Sequence, residues 1–204
     1  MSSDNMKTIF ESRFTIANTS LHSVVAFHQN DVVAAFPQLA PPLTPVEFEP
    51  PLVHKMEENA LLKFTLWIGY CLLPVRWVAR HFEVSENGFT DEVVRGPVKY
   101  WRHRHAFRVV DKVGSGQRGD PSVPIAPSSA RASQIVEVHD KIEYEHFPLL
   151  SYEGIVGRLL INRVSLFMLF KWRGYATRRA ILDVEGDIHH GNESALEKPL
   201  LAKK

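Results

Sequence analysis

The sequence predicts an α+β domain in which one antiparallel sheet is covered by a long helix near its C-terminal end. Three observations predict it. Between residues 60 and 146, apolar side chains recur at every second position in runs separated by turn residues. From about Glu153 the apolar spacing lengthens to three and four, the period of a helix. The strand runs also follow one another directly, and a sheet with one apolar face needs a covering element, which the final helix supplies.

Composition narrows the possibilities. The chain has 204 residues, 45% of them hydrophobic, with 24 Lys and Arg against 23 Asp and Glu for a formal charge of +1. A chain this long forms one domain and buries roughly 70% of its unfolded surface, so disorder throughout is excluded. The balanced charge supplies no counterion-release drive toward nucleic acid, and no nucleic-acid partner is expected. The single cysteine, Cys71, cannot form an internal disulfide, excludes cysteine-rich zinc modules and fits a reducing compartment. Residues 1–14 carry no apolar signal-peptide core. The longest uncharged apolar stretch, residues 64–75, contains Pro74 and is well short of the roughly 20 residues a spanning helix needs. A soluble cytoplasmic protein is expected, with the glycosylation sequons at Asn18 and Asn192 idle.

Taken in order, Lys7 to Ile16 reads as a first strand. Ser20 offers an N-cap for a helix over Leu21–Gln29, with Leu21, Val24, Val25 and His28 on one face. A second short helix follows Asn30 and is expected to end before Pro37. The proline-rich run after it allows at most a short edge strand at Val46–Phe48. Leu62, Phe64, Leu66, Ile68, Tyr70 and Leu72 then alternate along one long strand, which a turn at Leu73–Pro74 joins to another over Val75–Val84. Residues 85–88 read as a turn and Phe89–Val94 as a short strand. Val98–Val113 and Ala132–His146 read as a long antiparallel pair. The connector, residues 114–133, is polar and proline-broken, so it is expected to be flexible and dispensable for folding. One helix is expected from about Glu153 to Val184, with Ile155, Leu159, Val164, Phe167, Leu169, Phe170 and Ala176 on its apolar side. This places a single domain at 7–184 and an irregular tail at 185–204.

One motif is a decoy. Gly114-Ser-Gly116-Gln-Arg-Gly119 matches the dinucleotide-binding pattern, but Asp120–Pro121, Pro124 and Pro127 follow where a helix must start. His189–His190 falls in the tail and is expected to be inert.

The informative run is residues 96–109. Period two puts Trp101, His103, His105 and Phe107 on one face and Arg102, Arg104 and Arg108 on the other. Arginines rarely enter a core unpaired, so the histidine face points inward. On the partner strand Val136, Val138, Asp140, Ile142 and Tyr144 share a face against Glu137, His139, Lys141, Glu143 and Glu145. Buried polar groups need partners. The expectation is a hydrogen-bonded cluster of His103, His105, Asp140 and Tyr144, in which Asp140 fixes an imidazole tautomer and favours its charged form.

These residues carry a resemblance. Phe89-x-Asp91-Glu92, followed by Gly96-Pro97-x-x-x-Trp101-x-His103-x-His105-x-Phe107, resembles the signature of SRPBCC proteins, the START-like helix-grip superfamily. That superfamily includes polyketide cyclase/dehydrase-like and lipid-binding members. Leu39 to Pro45, Pro50–Pro51, Pro74 with Trp77, Asp140-x-Ile142-x-Tyr144 and Phe170-Lys-Trp172-Arg173 follow in the expected order, spanning about residues 7 to 183. Val93 stands where the pattern has glutamine, and the 114–133 loop replaces a tight hairpin.

The resemblance implies a bent antiparallel sheet of about seven strands gripping the long C-terminal helix, with a deep apolar cavity between. Phe64, Leu66 and Ile68 would line it from one strand, and Trp101, His103, His105 and Phe107 from another. Val138, Asp140, Ile142 and Tyr144 would line it from the partner strand, and Phe167 from the helix. Family members hold lipids, sterols, quinones or polyketides. A non-catalytic carrier or sensor of a hydrophobic small molecule is the favoured function. The alternative is a cyclase or dehydratase with His103 or His105 as general base and Asp140 orienting it. His103, His105 and Asp140 also form a two-histidine, one-carboxylate set. Mutual hydrogen bonding is the favoured reading of them, so no metal and no cofactor is expected. Arg158, Arg163, Lys171, Arg173, Arg178 and Arg179 could touch anionic headgroups transiently, although a solvated face over apolar neighbours is the simpler account.

Overall fold

The computed structural model describes residues 7–112 and 134–196. The expected 114–133 connector, with its glycine motif, lies outside the described residues, as does the end of the tail. In chain order the elements are β1 (Thr8–Thr19), α1 (Leu21–Gln29), α2 (Val32–Leu39), β2 (Val46–Phe48), β3 (Leu61–Trp67) and α3 (Ile68–Cys71). They continue with β4 (Leu73–Ser85), β5 (Gly88–Arg95), β6 (Tyr100–Lys112), β7 (Gln134–Glu145), α4 (Tyr152–Leu160) and α5 (Arg163–Leu196).

The strands form one seven-stranded sheet in the order β1-β7-β6-β5-β4-β3-β2, antiparallel throughout. Strands β2 to β7 are a meander, and β1 pairs with the last strand, Phe14 opposite Val138. Register shifts in β1, β4 and β6 mark bulges, which bend strands and let the sheet curve. Helix α5 lies against β1, and α1 lies over β6 and β7. The tightest core fills the space beneath them: Ile16, Val24, Phe107, Val138, Ile142 and Leu166 are almost completely buried. None of the described helices is long and apolar enough to cross a membrane.

Local chemistry explains the elements. Ser20 Oγ accepts the Ser23 amide at 3.0 Å and starts α1, and Asp31 Oδ1 accepts the Ala34 amide and starts α2. Helix α2 does not stop before Pro37 as expected; it runs to Leu39 and closes with Ala40 N–H donating to the Phe36 carbonyl. Pro37 falls in the last turn, where its missing amide removes a single hydrogen bond.

Three further expectations are corrected. The strand from residue 60 ends at Trp67, because Gly69 takes a φ of +65° and Ile68–Cys71 make a helical turn; Leu72 is consequently 85% exposed. The final helix is two helices. Asn162 Oδ1 accepts the amides of Val164 and Ser165, both at 3.0 Å, and starts α5 afresh after α4 has ended. This break resets the helical phase. Ile155, Leu159, Val164 and Phe167 are exposed, and the buried stripe of α5 is Leu166, Phe170, Gly174, Thr177 and Ile181. Small residues belong to that stripe because the helix backbone approaches β1 closely; a Cβ on Gly174 would sit 3.3 Å from the Phe14 ring. Lastly, α5 continues to Leu196 instead of giving way to an irregular tail at residue 185. Gly186 and Gly191 each weaken a helix by about 1 kcal/mol without breaking it, and the next proline is Pro199.

Gly88 fixes the register beside the two histidines. Its φ is +147°, and a Cβ there would lie 2.0 Å from the His105 carbonyl oxygen. Gly88→Ala is expected to lower stability by about 1–3 kcal/mol, because backbone cannot yield as a flexible side chain would. Glu86→Ala, in the same exposed turn, should stay within about 0.5 kcal/mol. Urea denaturation of both variants checks the contrast.

Candidate functional site

The site is built from strand phase. On β6 alternation turns Trp101, His103, His105 and Phe107 inward, while Arg102 and Arg108 pair outside with Glu83 and Glu137. On β7 it turns Asp140 inward, with no exposure at all. Register places His105 directly opposite Asp140, Asp91 opposite His103, and His81 opposite Asp91. Four adjacent strands thus bring a carboxylate to each side of a histidine pair.

The geometry is specific. His105 Nδ1–H donates to Asp140 Oδ1 at 2.7 Å, and His103 Nε2–H donates to the same oxygen at 3.0 Å. The remaining ring nitrogens face Asp91 Oδ1, His105 Nε2 at 3.3 Å and His103 Nδ1 at 3.8 Å. The two imidazoles lie 3.8 Å apart between centroids, and Phe89 covers His105 at 4.2 Å. From α5, Arg173 Nη2 approaches to 3.3 Å from His105 Nδ1. That nitrogen already donates to the carboxylate, so the guanidinium acts there as a charge beside Asp140. From α1, His28 Nδ1–H donates to the Val24 carbonyl at 2.8 Å.

Burial and charge compete at each group. Burial alone would raise the Asp140 carboxyl, but Arg173 and the bonds from His103 and His105 together hold it well below its ordinary range. Asp91 behaves alike: burial pushes up, His103 and His105 pull down, and the group settles at about 2. His103 is pushed down to about 4 by burial and then by His105, against the pull of Asp91 and Asp140. Asp140 favours the charged form of His103 as expected, but burial and His105 outweigh it. His28 is pushed down to about 3, first by burial and then by Arg173. His81 is lowered too, chiefly by burial.

These groups form the polar end of a cavity of about 880 Å³ bounded by β3–β6, α2, α4 and the start of α5. Of the residues expected to line it, Phe64, Leu66, Ile68, Trp101, His103, His105 and Phe167 do so. Phe107, Val138, Asp140, Ile142 and Tyr144 do not, because α1 and α5 cover that half of the sheet and leave no space above it. Asp140 sits behind the histidines. The Tyr144 hydroxyl hydrogen-bonds the Thr8 side chain and takes no part in the cluster. Sequence reasoning missed Asp91, His81 and Arg173. Asp91 shares the inward phase of Phe89, and half-buried Arg173 follows Phe170 by three, at the edge of the buried stripe of α5; both signals were present in the spacing.

No family model matches the chain, and no curated protein matches it. Solved structures do. Norcoclaurine synthase from Thalictrum flavum, in complex with dopamine and hydroxybenzaldehyde, is 12% identical with a TM-score of 0.51, over 90% of this chain and 93% of that one. The Zhui aromatase/cyclase from Streptomyces sp. R1128 is 12% identical with a TM-score of 0.51, over 89% and 95%. A START superfamily protein from Mycobacterium smegmatis is 12% identical with a TM-score of 0.50, over 86% and 98%. The likeness is one of fold, and the fold is the helix-grip fold that the sequence resemblance implies.

Two outcomes follow. Asp140→Ala removes the acceptor of two buried N–H groups and should cost about 1–3 kcal/mol. Asp140→Asn should cost less, and Glu137→Ala, on the outer face, no more than about 0.5 kcal/mol; chemical denaturation of the three variants checks the order. The second outcome concerns acid. The folded His28 titrates near 3 and the unfolded one near 6.5, so the unfolded chain binds the extra proton between those values. Its contribution is intact above 6.5 and is lost as the pH falls toward 3, at about 1.4 kcal/mol per pH unit. His28→Phe should flatten that decline, read from urea midpoints at several pH values.

Proposed function

We propose that the protein binds a hydrophobic small molecule, the apolar body lying in the cavity and one polar group resting against Asp91, His103 and His105. The observation that carries this reading is the cavity itself. Its volume of about 880 Å³ falls within the range of small-molecule sites, and its walls are mostly apolar away from the histidine end. Phe36, Leu62, Phe64 and Trp77 supply aromatic and aliphatic surface. Burying about 200 Å² of apolar ligand surface there contributes about 5 kcal/mol before ordering costs. When each ring carries a single hydrogen, the nitrogens turned toward Asp91 offer lone pairs, so a hydroxyl-bearing ligand fits best: a sterol, a phenolic polyketide, a reduced quinone or a hydroxylated lipid. Leu159, Phe167 and Met168 line the cavity and are more than half exposed, which gives it an apolar mouth. Lys171 also lines it, so a brief encounter with an anionic membrane surface suits ligand exchange. A cytoplasmic carrier or sensor is the role that results.

One observation favours a second reading. A neutral His103 with a lone pair facing the cavity can take a proton from a bound ligand, as a cyclase or dehydratase requires. Two of the structural neighbours are enzymes by name.

Native mass spectrometry of the protein purified from its own host, followed by organic extraction, is expected to show a co-purifying hydrophobic molecule. Leu66→Trp, which fills the cavity from β3, should reduce retention of that molecule at least about tenfold, about 1.4 kcal/mol. An empty wild-type cavity that also ignores anilinonaphthalene sulfonate, or retention unchanged in Leu66→Trp, would overturn the reading.

A further inference from the structure

We propose that Asp91, His103 and His105 bind a divalent transition-metal ion of the zinc or ferrous class at the polar end of the cavity, with Asp140 as the hydrogen-bond acceptor that aims both imidazoles. The starting point is proton counting. Asp140 Oδ1 lies 2.7 Å from His105 Nδ1 and 3.0 Å from His103 Nε2, so a ring that carries a single hydrogen holds it on that nitrogen. The tautomers are opposite ones, and one oxygen selects both. The remaining nitrogens, His103 Nδ1 and His105 Nε2, then present lone pairs to Asp91 Oδ1 at 3.8 and 3.3 Å. In that state three electron-pair donors converge with no hydrogen among them, whereas a second proton on His105 would bridge to Asp91. Nearly buried side chains, 6%, 3% and 16% exposed, gain little relief from water. A cation at the point of convergence turns mutual repulsion into ligation.

Dimensions and charge agree with this. Among the described residues these three alone offer a compatible set, each placing a ligand atom within 4.8 Å of the other two. Metal–ligand bonds of about 2.0–2.2 Å put tetrahedral neighbours about 3.3–3.6 Å apart. Two imidazoles and one carboxylate suit zinc or ferrous ion and not calcium or magnesium. Of the two acidic groups, Asp140 has the Arg173 guanidinium beside it, at the His105 nitrogen turned away from Asp91. Asp91 faces the imidazoles of His103, His105 and His81. A carboxylate behind metal-ligating histidines is the recurrent support of such sites. All three ligands line the cavity, so the remaining coordination positions open onto it, where a ligand hydroxyl or enol oxygen can enter. The sequence alone suggested Asp140 as the carboxylate ligand; the structure moves that role to Asp91 and sets Asp140 behind.

The test uses tag-free, full-length protein stripped with chelator and titrated with zinc, ferrous ion and cobalt in the absence of any organic ligand. Its result is therefore independent of whether a hydrophobic molecule binds. Saturation at one equivalent is expected, with a raised melting temperature. Cobalt-loaded wild-type protein should show hyperfine-shifted N–H resonances from two histidines, a readout that needs no variant to fold. Asp91→Asn and His105→Gln should abolish stoichiometric binding. Asp140→Asn should keep the stoichiometry and weaken affinity about 10–100-fold. Replacing both His189 and His190 by Ala should change nothing. No stoichiometric uptake, loss of uptake in the His189/His190 variant, or uptake unaltered by Asp91→Asn would overturn the proposal.

Discussion

A single buried carboxylate oxygen organises this protein. Asp140 Oδ1 receives an N–H from His103 and another from His105, and the residue has no exposure to water. A charge in that position is tolerable only when its partners are fixed, which constrains three strands at once. His105 must lie opposite Asp140 across β6 and β7, and Asp91 opposite His103 across β5 and β6. A slip of one residue would send the whole set to the solvent side. The same constraint reaches α5, where half-buried Arg173, at the edge of the buried stripe, sets its charge beside Asp140. Register, helix phase and site geometry are thus consequences of one electrostatic requirement.

The two halves of the sheet have different uses for the same alternation. Over β1, β7 and the far part of β6, helices α1 and α5 press directly on the inward side chains and make a filled core. Over β3 to β6 the cover stands off, held by α2, by α4 and by the early turns of α5, and a cavity remains. The histidines lie on the boundary. His105 packs on Phe89 and bonds to Asp140 on the filled side, yet opens to the cavity on the other. Rigid backing with an accessible edge is what a site needs if its groups are to keep their directions while a guest enters.

Much of this was legible in the sequence. Period two assigned the inward faces of β6 and β7 correctly because large apolar and charged residues alternate there without interruption. The helices were harder. Asn162 divides α4 from α5 through its side-chain oxygen, a signal carried by one polar residue inside an apolar run. The buried stripe of α5 includes Gly174 and Thr177, which hydrophobicity counting passes over although close backbone approach favours them. Asp91 escaped for another reason: on a short strand an acidic residue beside Glu92 looks like surface, although it shares the inward phase of Phe89.

The pairing of β1 with β7 has a consequence in time. The first strand waits for a partner whose residues are made more than a hundred positions later, and α5 follows later still. A ribosome releases the chain from its N-terminal end, so the meander from β2 to β6 emerges with its apolar face uncovered and one long edge open. Such contacts between distant parts of the sequence make folding slow and leave intermediates sticky. The cavity that serves the finished protein is, in the growing chain, an unguarded surface, and the histidine cluster can close only as the last helix arrives.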